Sequence, residues 1–137
     1  MKFRPFVAVV RRILETMNVT ASLQDMTPAE VRAALGAGEV LLVDVREPAE
    51  FAAERIHGAV NFPLTTFDAA SLMATLDPAR VVLQCGSGKR SGMAAAQCQQ
   101  AGFAVNRHLG GGIGAWKAAG LPVISINAAT GAVRDAR

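Results

Sequence analysis

Two short, uninterrupted apolar runs narrow the architecture of this chain more than anything else in it. Val40-Leu41-Leu42-Val43 stops at Asp44, and Arg80-Val81-Val82-Leu83-Gln84 stops at Cys85. A strand with one wet face alternates apolar and polar residues. A run that is apolar at every position has both faces buried, as in a parallel sheet covered on two sides. Parallel neighbours cannot be joined by a tight turn and need a crossover, usually a helix.

The intervening sequence supplies those crossovers. Thr27, Pro28 and Glu30 form a helix start, with the hydroxyl capping and proline in the first turn, and Gly36 and Gly38 stop that helix. Pro48 to Ala53 and about Thr66 to Leu76 predict two more helices, with an irregular stretch from Gly58 to Pro63 between them. A helix over Ser91 to Ala101 ends at Gly102, a strand follows over Ala104 to Leu109, and a last helix spans about Ile113 to Ala119. Strands alternating with helices imply an α/β fold, a central parallel sheet with helices on both faces. Ligands gather at the carboxyl ends of the strands in such sheets, where Asp44 and Cys85 both fall.

With 137 residues, 51% of them hydrophobic and 18% charged, the chain can bury the core of one compact domain. The expected division is an N-terminal segment over 1–21, a domain over 22–124 and a loose C-terminal tail over 125–137. Phe3, Phe6, Val7, Val10, Ile13, Leu14 and Met17 recur at helical spacing, so residues 3–17 read as an amphipathic helix. The formal charge of +3 arises wholly in the first twenty residues, from Lys2, Arg4, Arg11 and Arg12 against Glu15. That helix suits docking on the domain, self-association with a second copy, a partner helix or weak membrane-surface contact. The rest of the chain is neutral and lacks the basic stripe that phosphate contacts require, so nucleic acid is not an expected partner.

No apolar stretch approaches the ~20 residues of a membrane-spanning helix, and Arg11 and Arg12 interrupt the first apolar run well short of a secretory signal. Two cysteines are too few for a disulfide scaffold. A reducing, cytoplasmic setting is the expectation.

The segment Cys85-Gly86-Ser87-Gly88-Lys89-Arg90-Ser91 lies directly between a buried strand and a helix. A cysteine there meets unpaired backbone N–H groups and the positive end of the helix dipole, which favour the nucleophilic thiolate. Gly86 and Gly88 allow the loop to curl its N–H groups into an anion-binding nest, to which Lys89 and Arg90 add charge. The expectation is a Cys85 pKa below that of a free thiol. The structural alternative is a plain strand-to-helix turn beside an inert, buried cysteine.

Several segments, in order, resemble the rhodanese family of sulfurtransferases. Val43-Asp44-Val45-Arg46-Glu47-Pro48 with Glu50-Phe51, followed by Ile56-His57-Gly58-Ala59-Val60-Asn61-Phe62-Pro63, is similar to the family's first signature. Cys85 to Ser91 is similar to its active-site loop. Gly110-Gly111-Gly112-Ile113 with Trp116, then Ala119-Gly120-Leu121-Pro122-Val123, is similar to its closing signature. The resemblance covers about residues 22–124 and implies a rhodanese-like sheet of about five parallel strands. It also implies that Cys85 takes a sulfane sulfur from thiosulfate or a related donor, holds it as a persulfide and passes it to cyanide or a cellular thiol. No metal or organic cofactor is called for.

The rival readings use the same loop. One is a non-enzymatic sulfur carrier or regulatory module that delivers persulfide sulfur to a partner protein. Another is a phosphatase or arsenate reductase, although those relatives use a loop one residue longer, whereas the six residues from Cys85 to Arg90 suit a single sulfur. In two departures from family members, Lys89-Arg90 stands where mercaptopyruvate sulfurtransferases have Val-Thr, and Glu50 stands where two-domain members carry a donor-binding arginine.

The substrate-binding set is therefore Gly86, Ser87, Gly88, Lys89, Arg90, Ser91 and Arg46, with Asp44 and Asn61 as structural support. Arg46 also fits a structural ion pair, and Asn61 a turn fastening. His57 and His108 have no ligand-spaced neighbour and read as surface or loop residues. Cys98 is thirteen residues beyond Cys85, over about ten ångströms along a helix rising ~1.5 Å per residue, so it reads as packing. Trp116 reads as the residue that packs the last helix on the sheet.

Overall fold

The computed structural model describes residues 23–136, so the expected amphipathic helix over 3–17 lies outside the described residues. The chain runs β1 (Gln24–Met26), α1 (Pro28–Gly36), β2 (Leu41–Asp44), α2 (Pro48–Ala53), β3 (Glu54–Arg55) and β4 (Val60–Asn61). Then follow α3 (Ala69–Met73), β5 (Val81–Gln84), α4 (Lys89–Gln100), β6 (Arg107–Leu109), α5 (Gly112–Ala118), β7 (Ile124–Ile126) and β8 (Val133–Asp135). A five-stranded sheet has the order β1-β6-β5-β2-β4, and every pairing in it is parallel.

The two apolar runs are its adjacent central strands. Leu41 to Asp44 pair with Val81 to Gln84 residue for residue, so both strands end at one rim. Their side chains alternate between two cores, as a strand's period of two requires. Val43, Val81 and Leu83 face Leu72, Met73, Ala94, Ala95 and Cys98 of α3 and α4. Leu42 and Val82 face Val31 of α1 and Ile113 and Trp116 of α5. The helices thus cover both faces. Helix α1 starts as its sequence predicts, with Thr27 accepting from Glu30 N–H at 3.1 Å and the Glu30 carboxylate accepting from Thr27 N–H at 2.8 Å.

Three expectations are corrected. The helix expected over about Thr66 to Leu76 is split into a 3-10 turn at Leu64–Thr66 and α3, because the Asp68 side chain accepts from Ser71 N–H and starts a new helix. The strand expected over 104–109 pairs only over Arg107–Leu109. The tail expected to be loose over 125–137 instead contributes β7 and β8, which join β3 in a three-stranded antiparallel sheet. Asn127 makes the turn, its side-chain oxygen accepting from Ala129 and Thr130 N–H. This hairpin is held by backbone pairing, and its outer strand β8 is exposed along its whole length. Among the described residues, no helix is long and apolar enough to cross a membrane.

Candidate functional site

Strand β5 ends at Gln84, and after four intervening residues α4 begins, with Gly88 as its N-cap at φ 106°. Only glycine takes that angle without strain. The turn brings Gly88 N–H to 3.0 Å from Cys85 Sγ. On the opposite side of the loop, the first turn of α5 donates Ile113 N–H to the Cys85 carbonyl at 2.9 Å and Gly114 N–H to the Gly86 carbonyl at 3.1 Å. Gln84 Nε2 also donates to the Cys85 carbonyl, at 3.0 Å. In a trans peptide the N–H points opposite to its C=O. Holding the Gly86 carbonyl towards α5 therefore turns the Ser87 N–H the other way, and Ser87 N–H is among the donors that favour the thiolate.

Burial pushes the Cys85 thiol pKa up, but the Ser91 hydroxyl and the backbone N–H groups of Ser91, Gly88 and Ser87 favour the thiolate and outweigh it, leaving the pKa below its ordinary value. The loop sets several donors around one sulfur. Cys85 is itself fully buried, whereas Ser87 and Lys89 are exposed. Cys98 is the converse. Buried among apolar side chains with no compensating donor, its thiol is pushed up to about 11, in keeping with a packing role.

Ser91 is fully buried, and its hydroxyl oxygen is shared. It lies 3.5 Å from Cys85 Sγ, 3.1 Å from the Gly88 carbonyl and 2.7 Å from His108 Nδ1. His108 Nε2 in turn lies 2.5 Å from Asp25 Oδ1. The expectation that His108 is a surface or loop residue is corrected, since it is a buried member of β6. The parallel pairing of β1 with β6 sets Asp25 directly beside it. No spacing in the sequence signals a contact across so many residues, and the three-residue β1 is too short to show a strand pattern.

Arg90 turns from the loop to Glu50, with Nη1 and Nη2 donating to the two carboxylate oxygens at 2.7 and 3.1 Å. The two side chains are 34% and 41% exposed. The Arg90 hydrogen bonds, with burial opposing them and the Glu47 N–H adding to them, hold the Glu50 carboxyl at about 2, and Glu50 in return raises Arg90. The residue that departs from the two-domain pattern thus occupies the guanidinium of the loop.

Of the two readings of Arg46, substrate contact and structural ion pair, the structure places the side chain in an ion pair with Asp44. It is buried, its Nε and Nη2 bind both oxygens of Asp44, and Nη2 also donates to the Glu54 carbonyl. Asn61 Nδ2 donates to the carbonyls of Asp44 and Arg46 at 3.0 and 2.9 Å, fastening the chain where β2 ends. His57 is exposed. Trp116 is buried and donates to the Pro122 carbonyl at 2.8 Å, packing α5 on the sheet as expected. Among the described residues, no three His, Cys, Asp or Glu side chains gather closely enough to hold a metal ion.

Comparison with known proteins agrees with this geometry. A "Sulfurtransferase" of Allochromatium vinosum is 40% identical over 88 residues, which are 64% of this chain and 80% of that protein. An uncharacterised protein of Synechocystis is 45% identical over 85 residues, 62% of this chain and 47% of its own length, so the chain spans about half of that relative. The crystal structure of a thiosulfate sulfurtransferase from Pseudomonas aeruginosa has the same fold, with a TM-score of 0.66 at 23% identity over 82% of this chain and 22% of that one. The rhodanese-like domain matches residues 27–119, a span that holds both strand ends, the Cys85 loop and α5, and the chain belongs to that family.

Proposed function

We propose that the domain is a sulfurtransferase in which Cys85 accepts a sulfane sulfur from thiosulfate or a related donor and passes it to cyanide or a cellular thiol. The observation that carries this reading is the Gly88 N–H at 3.0 Å from Cys85 Sγ, within a loop whose other donors also lower the thiol's pKa. The thiolate attacks the outer sulfur of thiosulfate. The new S–S bond forms as the old one breaks, and sulfite leaves with the bonding pair. Attack of this kind needs the thiolate rather than the thiol. The persulfide's outer sulfur is an anion in its turn, and the N–H groups of Ser87 and Gly88 are preorganised to stabilise it. Cyanide then attacks that sulfur, forming thiocyanate and returning the thiolate. Lys89 adds positive charge at the loop, and Ser91 supports the sulfur from below.

The Arg90–Glu50 pair favours a second reading. A carboxylate beside the loop's guanidinium disfavours a small dianionic donor, and this suits a carrier that receives sulfur from a protein persulfide and delivers it to a protein acceptor. One experiment tests both. Incubation with thiosulfate and cyanide, read as thiocyanate, is run beside Cys85→Ser and an aryl phosphate control. Turnover lost in the variant supports the enzyme. A stable one-sulfur mass gain on Cys85 without turnover favours the carrier, and phosphate release overturns both.

A further inference from the structure

We propose that His108 is a positioning and proton-holding residue for Cys85, acting through Ser91 and held by Asp25. This assignment rests on the reading of Cys85 as the nucleophile of sulfur transfer. The four side chains form one continuous chain. Cys85 Sγ lies 3.5 Å from Ser91 Oγ, Ser91 Oγ 2.7 Å from His108 Nδ1, and His108 Nε2 2.5 Å from Asp25 Oδ1. Cys85 and Ser91 are fully buried and His108 nearly so, whereas the Asp25 side chain is 76% exposed. The chain therefore connects a sulfur without solvent contact to a carboxylate in water.

Its polarity is fixed at the Asp25 end. A carboxylate accepts, so His108 Nε2 carries a proton, and in the neutral ring Nδ1 is then bare. A bare Nδ1 at 2.7 Å accepts the single Ser91 O–H proton in place of the Gly88 carbonyl at 3.1 Å, which keeps Gly92 N–H as its donor, and the Ser91 oxygen is left to accept from the thiol. When Cys85 ionises, its proton passes to Ser91 Oγ and the Ser91 hydroxyl proton passes to His108 Nδ1. No atom is left unsatisfied. Ser91 now donates to the thiolate, His108 Nδ1–H donates to Ser91, and the imidazolium keeps its bond to Asp25. One proton has moved, and none has entered solvent.

The groups that meet the ring come from three directions. Asp25 is its partner on β1, Leu83 on β5 pairs with it on the other side, and the loop closes over it, since a Cβ on Gly88 would stand 3.6 Å from His108 Cε1. The ring's hydrogen bonds run to Asp25 and, through Ser91, to Cys85. Sulfur transfer by the steps above keeps a negative charge on Cys85 as thiolate or as persulfide throughout, so one imidazolium can balance both states.

The test is a titration of thiolate absorbance in the ultraviolet, which needs no sulfur donor and no reagent access to the buried sulfur. The chain has no tyrosine, and Cys98 ionises only near about 11, so the signal below that range belongs to Cys85. His108→Asn keeps an acceptor where Nδ1 stands but cannot take a proton. We expect its Cys85 midpoint to rise by about one pH unit, a tenfold loss of thiolate at a given pH. Ser91→Ala is expected to rise at least as far, Asp25→Asn less, and Ser91→Ala with His108→Asn no further than Ser91→Ala alone. An unchanged midpoint in His108→Asn, or a double variant whose shift is the sum of the two, overturns the proposal. Should the His108 variant fail to fold, ring-nitrogen NMR of wild type and Cys85→Ser decides. Protonation of His108 Nδ1 in wild type but not in Cys85→Ser at the same pH supports the relay, and equal protonation overturns it. Failure of thiocyanate formation would instead count against the transfer reading and leave these titrations readable.

Discussion

Ile113 N–H donates to the Cys85 carbonyl at 2.9 Å, and this contact decides which way the loop's peptides face. It requires α5 to begin almost against the loop backbone. Gly112 makes that approach, at φ +63° and so close that a Cβ there would stand 2.6 Å from the Gly86 carbonyl carbon and inside contact with the Cys85 carbonyl oxygen. Backbone atoms on a central strand end cannot move aside cheaply.

Gly112→Ala is therefore expected to lose more than about 2 kcal/mol of stability, combining the ~1–3 kcal/mol strain of a positive φ with the clash. The loop N–H groups would also turn away from the sulfur, so the Cys85 thiolate signal at neutral pH should fall in whatever fraction remains folded. Gly36→Ala, at a site with open space and an ordinary φ, is the control and is expected to gain up to about 1 kcal/mol. Urea unfolding of both variants, with thiolate absorbance, checks the pair.

The fold was legible where burial writes a pattern. Val40 to Val43 and Val81 to Leu83 are apolar on both faces because two helical layers cover them, and their common rim followed from parallel pairing. The glycines around Cys85 announced the nest for a similar reason, since few other residues permit its angles. The exposed hairpin of Val133–Asp135 was not legible, because backbone bonds rather than buried side chains hold it. Nor were the partners of Arg46 and His108. A buried arginine and a surface arginine look alike in a sequence, and Asp25 meets His108 only after β1 has crossed to the edge beside β6. Spacing reports neighbours along the chain, not across the sheet.

The Asp44–Arg46 pair, with side chains 0% and 5% exposed, leads to a prediction that separates structure from substrate contact. Removing one member of a buried, hydrogen-bonded ion pair strands the other and typically costs about 3–5 kcal/mol. Arg46→Ala and Asp44→Asn are each expected to lower the unfolding midpoint strongly. The double variant Asp44→Asn with Arg46→Met is expected to recover part of the loss. A substrate contact at Arg46 would instead raise KM for the donor at unchanged stability, and unfolding curves beside steady-state kinetics distinguish the two.

The two cysteines should separate cleanly in titration. Cys85 lies below the ordinary thiol value and Cys98 is raised to about 11 by burial alone. Cys98→Ala is expected to leave the thiolate curve unchanged up to about pH 9, at a cost of ~1 kcal/mol for the small cavity. Cys85→Ser should abolish the same part of the curve. Overlaying the three titrations checks the assignment that makes Cys85 the only reactive sulfur of the described residues.

Glu50 offers a prediction on donor choice. Its carboxylate occupies both Arg90 Nη atoms, so an oxyanion donor must displace it or bind without the guanidinium. Glu50→Gln weakens that competition and removes a negative charge. KM for thiosulfate is expected to fall roughly two- to fivefold, the factor equivalent to an exposed ion pair of up to ~1 kcal/mol, with kcat little changed. The same pair sets a pH signature. Glu50 titrates at about 2 in the folded protein against an ordinary 4.5, and a group whose folded value is depressed stabilises the fold fully above its unfolded value. That contribution is complete above about pH 4.5 and is lost as pH falls towards 2. Because the pair is part-exposed, solvent screening keeps the contribution below about 1 kcal/mol. Wild type should therefore lose slightly more stability than Glu50→Gln across that window, measured by urea unfolding at stepped pH. Equal losses, together with an unchanged KM, would mean that Arg90 does not face the donor.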